Sequence, residues 1–213
     1  MIRTDLPPLP ARIAALPVDP DRFYPVPWFV SWIDGKPEFR CIEPEKIVTA
    51  TRKRLCWVCG QPRKELAMTF VIGPMCAVNR ISAEPPSHYE CAEFSVKACP
   101  FLTKPQMVRR ENDMPCGDEN VAGVMIKRNP GCILLWTTTT YSIVPNKNGV
   151  LFNIGLPQRV SYWRKGRQAT RPEILESMES GFPILMDMAK AQGPDAIAEL
   201  ERMSAKAMEL VPA

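Results

Sequence analysis

The chain has 213 residues, 46% of them hydrophobic, and 27 Lys and Arg against 23 Asp and Glu leave it at +4. That is enough apolar material for a real core, in one domain or in a compact domain with a small metal module attached. No apolar run reaches the roughly 20 residues that a bilayer span needs, and the N-terminus lacks a signal-peptide pattern, so membrane and secreted classes are set aside and a cytoplasmic location is expected. In that reducing compartment the eight cysteines read as metal ligands and buried thiols, not as a disulfide framework.

Prolines crowd residues 6–27 with no hydrophobic period, which predicts an extended arm or wrap over residues 1–27. Residues 28–33, Trp28-Phe29-Val30-Ser31-Trp32-Ile33, then face residues 36–42 across Asp34-Gly35, the signature of a two-residue hairpin. A short helix over 44–54 leads into the first cysteine pair, the apolar run 66–72 returns as a strand, and Pro85-Pro86-Ser87 opens a helix. Residues 104–120 read as a loop. Strands follow over 121–128, 132–144 and 150–163, with Asn148-Gly149 closing a second hairpin.

Thr170-Arg171-Pro172-Glu173 matches a capping box, and Gly181 and Gly193 are expected to break the tail into helices. Ile174, Met178, Leu185, Met188, Ile197, Leu200 and Met203 supply its apolar positions, the methionines as core filler. The expected fold class is α+β. A treble-clef-like zinc module lies within residues 28–103, and a small antiparallel sheet covered by C-terminal helices within 121–213, separate from the module or continuous with it.

The chemistry sits in Cys56-Trp57-Val58-Cys59-Gly60, Cys76, His88-Tyr89-Glu90-Cys91 and Cys99. Two pairs with two-residue gaps bring thiolates and an imidazole to one tetrahedral centre, as zinc requires. A knuckle ending in Gly60, a returning strand and a helix donating its first turn predict Cys56, Cys59, His88 and Cys91 as the ligands of one Zn2+ ion. Cys76 competes for the fourth position; Cys99 lies eight residues past Cys91, too far along a continuing helix to share its ion.

Cys-Trp-Val-Cys-Gly at 56–60, Phe-Val-Ile-Gly-Pro-Met-Cys-Ala-Val-Asn-Arg at 70–80 and Ser-Ala-Glu-Pro-Pro-Ser-His at 82–88 resemble a pattern found in uncharacterised zinc-site proteins of bacteriophages and actinobacteria. Tyr162-Trp163-Arg164 and Gly166-Arg167-Gln168-Ala169-Thr170-Arg171 belong to the same pattern. The resemblance implies a phage or mobile-element protein acting inside a bacterium and carries no activity with it.

His88-Tyr89-Glu90 is similar to the His-x-Glu of zinc deaminases, but there Pro-Cys-x-x-Cys follows, whereas here the cysteine pair precedes. The chain has one histidine. Once His88 ligates a metal, none is left as the base of a nuclease or of a Cys-His or Ser-His nucleophile.

Charge patterning points elsewhere. No acidic residue occurs from 120 to 171, while Lys127, Arg128, Lys147, Arg159, Arg164, Lys165, Arg167 and Arg171 contribute eight positive charges. Trp136, Tyr141, Phe152, Tyr162 and Trp163 lie in the same segment, a combination suited to phosphates and stacked bases. The opposing reading is internal pairing with the acidic tail, since eight acidic residues follow Pro172. Arg52-Lys53-Arg54 with Arg63-Lys64 forms a second basic group beside the knuckle.

The expected function is therefore a zinc-stabilised, non-catalytic binding protein. Nucleic acid or another anionic ligand such as a nucleotide is favoured, held by Arg159, Arg164, Lys165, Arg167 and Arg171 and by Arg52, Lys53 and Arg54. One alternative is a phage-encoded inhibitor or adaptor that grips a host protein through the arm and the Trp28/Trp32 hairpin. A zinc-dependent hydrolase or deaminase-like enzyme is the other.

Overall fold

A computed structural model describes residues 2–105, 107–108, 115, 128–147 and 149–213. In the arm, α1 (Ala11–Ala14) interrupts the extended proline stretch. The hairpin of β1 (Val30–Ile33) and β2 (Lys36–Ile42) follows. Asp34 and Gly35 close it at φ 50° and 75°, the doubly positive geometry of the turn that matches strand twist.

Helix α2 (Pro44–Lys53) leads to the cysteine knuckle, and then come β3 (Met68–Ile72), α3 (Pro74–Asn79), β4 (Ile81–Ser82), α4 (Tyr89–Ala98) and α5 (Pro100–Thr103). The second half holds β5 (Ile133–Thr138), β6 (Tyr141–Asn146), β7 (Gly149–Ile154), β8 (Arg159–Arg164), β9 (Arg167–Gln168), α6 (Arg171–Gln192) and α7 (Pro194–Met208).

Two antiparallel sheets organise the body: a four-stranded sheet in the order β3-β5-β8-β9 and a three-stranded one in the order β4-β7-β6. Every residue of β5 is buried, because both faces of its sheet are covered. Leu134 and Trp136 meet Phe70, Tyr162, Phe152 and the C-terminal helices through Ile174 and Met178. Ile133 and Leu135 meet Ala92 and Val96 of α4, with Trp163. The molecule is thus a mixed helix and antiparallel-sheet fold in which α3, backed by α6 and α7, and the helix α4 cover opposite faces of one sheet. Among the described residues no helix is long and apolar enough to cross a membrane.

Three expectations are corrected. The long strands over 132–144 and 150–163 are each two strands, broken at Thr139-Thr140 and at residues 155–158 where the chain passes from one sheet to the other. Both breaks are stitched at one corner: the Thr138 hydroxyl donates to the Leu156 carbonyl at 2.8 Å, and the Gly155 N–H to the Thr140 carbonyl at 2.9 Å. A Cβ on Gly155 would lie 2.7 Å from that carbonyl oxygen. Gly155→Ala is therefore expected to cost about 1–3 kcal/mol through overpacking, read as a lower Tm with the far-UV spectrum retained.

Gly181 breaks no helix. It lies within α6, where an added Cβ would sit 2.6 Å from the Met75 Cγ, so close packing explains the glycine. Gly193, at φ 109°, does separate α6 from α7. Met188 is exposed and not part of the core. The capping box at Thr170 and Glu173 is present. Most of the loop expected over 104–120, the strand over 121–127 and Asn148 lie outside the described residues.

Candidate metal centre

The knuckle is a tight hairpin closed by an antiparallel bridge between Leu55 and Pro62. Inside it the Cys56 N–H donates to the Gln61 carbonyl and the Gly60 N–H to the Cys56 carbonyl, both at 2.8 Å. Gly60 has φ +70°, and a Cβ there would lie 2.5 Å from the Trp28 ring. Backbone conformation and close approach both demand glycine at this point.

The second donor pair is carried by the start of α4. His88 is its N-cap in extended conformation, and Cys91 falls in its first turn. Reciprocal backbone hydrogen bonds between Thr69 and Ser87, at 2.8 and 3.0 Å, tie that start to β3, and the Trp57 N–H donates to the Pro86 carbonyl at 3.2 Å. Knuckle, strand and helix end are thereby fixed against one another.

The four donor atoms of Cys56, Cys59, His88 and Cys91 all lie within 4.8 Å of one another, and all four residues are buried. The His88 Nδ1 is 3.4 Å from the Cys59 Sγ and 3.9 Å from the Cys91 Sγ. With Nδ1 turned to the centre, Nε2–H is left to donate to the Pro62 carbonyl at 3.3 Å, the orienting contact that a ligating imidazole needs. The backbone N–H groups of Cys59 and His88 point at the Cys56 Sγ at 3.5 and 3.4 Å, an arrangement that favours a thiolate.

Crowding three thiols sets up a charge conflict. Hydrogen bonds from Cys59 and Cys91 push the Cys56 thiol far below its ordinary range. The same contacts with Cys56 push Cys59 and Cys91 up, and hydrogen bonding to the Cys56 thiolate raises His88. Three thiolates this close repel one another unless a cation lies among them. The cluster is compatible with a bound metal ion.

Leu6, Leu9 and Leu16 of the arm, with the buried Ile13, cover the centre together with Val58, Phe94 and Ala98. Arg12, on α1, forms an ion pair with Glu90, so the carboxylate next to the donors is turned to the arm. The exposed Glu65 is held below the ordinary carboxylate range by its own backbone N–H, with His88 and Arg12 contributing. Because the Arg12–Glu90 pair is half-exposed, Glu90→Gln is expected to change stability by about 1 kcal/mol or less. Metal content should stay unchanged, as measured by elemental analysis.

Cys76, on α3, and Cys99, capping the end of α4, lie outside this group; burial raises both thiols. Cys41 of β2 is disulfide-bonded, which corrects the reading of every cysteine as a ligand or thiol.

The basic residues are placed in two different ways. Arg164 meets Glu176 at 2.6 Å and Glu173 at 3.8 Å, and Arg167 meets Glu173 at 2.7 Å. Arg167 and the Thr170 N–H hold the Glu173 carboxyl down at about 2. Arg171 donates to the Val211 and Pro212 carbonyls, and Arg159 lies over the Tyr89 ring at 4.2 Å. Lys165 stays exposed in the turn between β8 and β9. Of the residues expected as a stacking platform, Trp136, Tyr162 and Trp163 are buried because their sheet is covered on both faces, Phe152 of β7 is buried against Phe70, and Tyr141 of β6 is half-buried against both rings.

Arg52, Lys53, Arg54 and Lys64 are exposed beside the knuckle. Arg63 is only 6% exposed; its Nε donates to the Leu55 carbonyl at 3.2 Å, while Nη1 has no hydrogen-bond partner among the described residues. Burial lowers its pKa, with the nearby Tyr141 opposing.

Sequence reasoning missed Arg12 and Pro62, and read Trp28 as a partner contact where its ring covers Gly60. Only Gly60, directly after a ligand, signalled a close approach. Comparison with protein-family models, with curated proteins and with solved structures finds no match.

Proposed function

We propose that the centre holds one zinc ion as a structural staple and that the chain is a non-catalytic binding protein for an anionic ligand, nucleic acid in the first place. The single observation that carries the structural reading is the donor set: three thiols and the chain's one histidine, all buried and converging, supply the four ligands of a closed site. A tetrahedral ion about 2.3 Å from sulfur and 2.0–2.1 Å from nitrogen sets S···N edges of about 3.6 Å, against the 3.4 and 3.9 Å found here. Knuckle, β3 and the first turn of α4 form the unit that we read as a treble clef. A catalytic metal would need an open position, and the pairing of Glu90 with Arg12 removes the nearest candidate base.

The anionic ligand is supported by the exposed cations next to the knuckle and by the net charge of +4. The motif resemblance favours a phage or mobile-element setting in a bacterial cell. The test is elemental analysis for one zinc per chain, X-ray absorption for a three-sulfur, one-nitrogen shell, and fluorescence anisotropy with DNA, RNA and nucleotides at low salt. A three-ligand site with a labile water would replace the reading by that of a zinc enzyme.

A second reading, an adaptor gripping a host protein, is favoured by the exposure of Trp32 and Phe23, at 43% and 46%. Arm and hairpin are joined by the Lys36–Asp21 ion pair and by Arg22 over the Phe39 ring. Absence of binding to every nucleic acid and nucleotide tested would bring that reading forward.

A further inference from the structure

We infer that the seam where the end of α2 meets the returning arm of the knuckle, Arg52-Lys53-Arg54 beside Arg63-Lys64, is the contact face for the phosphodiester backbone of a nucleic-acid duplex, gripped by charge without base stacking. The inference rests on the anionic-ligand reading above and names the site and the ligand class for it.

Local folding creates the seam. Helix α2 ends at Lys53, and Arg54 turns left-handed at φ 53° into the knuckle. The Arg63 N–H then donates to the Arg54 carbonyl at 2.9 Å, and the Leu55–Pro62 bridge holds the two segments side by side. Five cations separated in sequence by the metal-binding loop are brought into adjacent rows, on a hairpin that the metal centre fixes in place.

Among the described residues these charges are uncompensated. Among the described residues, Arg52, Lys53, Arg54 and Lys64 are exposed and none is in an ion pair with a carboxylate, unlike Arg164 and Arg167 on the opposite half of the sequence. Arg63, next to Lys64 in the returning arm, is more than nine-tenths buried; its Nε is bonded to a neutral carbonyl, Nη1 has no hydrogen-bond partner among the described residues, and the neutral Tyr141 is close to its guanidinium. The C-terminus of α2 offers a partial negative charge of about half a unit, far too little to offset four full cations. Among the described residues, an anion is what the seam lacks.

The kind of anion follows from what surrounds it. Single-strand binders need exposed aromatic faces on which bases stack. Here the ring of Trp28 covers Gly60, and Trp57 is buried and stacked on Phe29 at 4.9 Å. A duplex keeps its bases to itself and presents closely spaced phosphates, about one charge per 1.7 Å of axis, so rigidly held cations suffice.

The experiment is fluorescence anisotropy of the zinc-loaded full chain with a 20-base-pair DNA duplex and with one of its strands, between 50 and 200 mM salt. Four or five phosphate contacts give a log–log salt slope of about −3.6 to −4.5 on the duplex. Relative to wild type, R52A/K53A/R54A/K64A should lower duplex affinity at least tenfold at 50 mM salt and flatten the slope, with zinc content and Tm retained. K190A/K206A, two exposed lysines of α6 and α7, should change neither. If the quadruple variant loses zinc, K53A and K64A singly replace it, each expected to reduce the slope by about 1.

Duplex affinity and slope unchanged in the variants would overturn the seam while leaving nucleic-acid binding standing. Tighter binding of the single strand would overturn the duplex assignment. A wild type that binds neither would overturn the underlying reading itself, and the seam with it.

Discussion

Cys59→Ser should release the metal and loosen the arm, the knuckle and the start of α4, leaving the larger core around the four-stranded sheet folded. Serine keeps the volume but offers a hard, protonated oxygen where a soft thiolate is needed, and its loss leaves Cys56, His88 and Cys91 as an incomplete shell. Apparent zinc-binding energies in small finger modules run to about 10–16 kcal/mol, comparable to the whole stability of a domain at about 5–15 kcal/mol. The expected result is zinc below one-tenth of an equivalent by elemental analysis, and rapid proteolysis in the arm, whose Leu6, Leu9 and Leu16 pack on the centre. Full zinc retention would show that Cys59 is not a ligand. Acidification of the wild type should act in the same direction, because protons compete with the metal for every donor.

Trp136→Ala is expected to cost about 3–5 kcal/mol, the largest effect of any substitution away from the metal. The side chain is 2% exposed in the central strand and packs among Phe70, Phe152 and Tyr162. Its Nε1–H donates to the Gly155 carbonyl at 2.9 Å, at the corner where the chain twice changes sheets. Truncation leaves a cavity and an unpaired carbonyl together. For a chain of this size the Tm should fall by roughly 6–20 °C, measured on the metal-loaded protein. A fall of less than about 3 °C would mean that neighbouring side chains collapse into the space.

What was legible in the sequence was local. The cysteine spacings, the Asp34-Gly35 turn and the Thr170–Glu173 capping box are each written within five or six residues, and their geometry follows from backbone chemistry alone. The sheet corner was not legible, because Thr139-Thr140 is as β-prone as its neighbours and only the partner strand's Gly155 explains the break. Gly181 is a helix breaker by propensity, and its place within α6 depends on Met75, more than a hundred residues earlier. The same distance effect governs charge. The acid-free run over 120–171 is basic on paper, and the carboxylates that meet Arg164 and Arg167 arrive on α6, from the acidic tail that the opposing reading of internal pairing named. The quieter group at 52–54 and 63–64 has no such visitor among the described residues.

Helix α4 is a party wall. Its N-cap and first turn carry two of the four donors, and further along the same helix Ala92 and Val96 close one face of the sheet around Ile133 and Leu135. The sheet therefore prepays part of the ordering that a bare peptide would have to supply when it captures an ion. A fragment spanning only the knuckle and this helix should hold zinc more weakly than the full chain, and stripping zinc from the full chain should turn one cooperative melting transition into two.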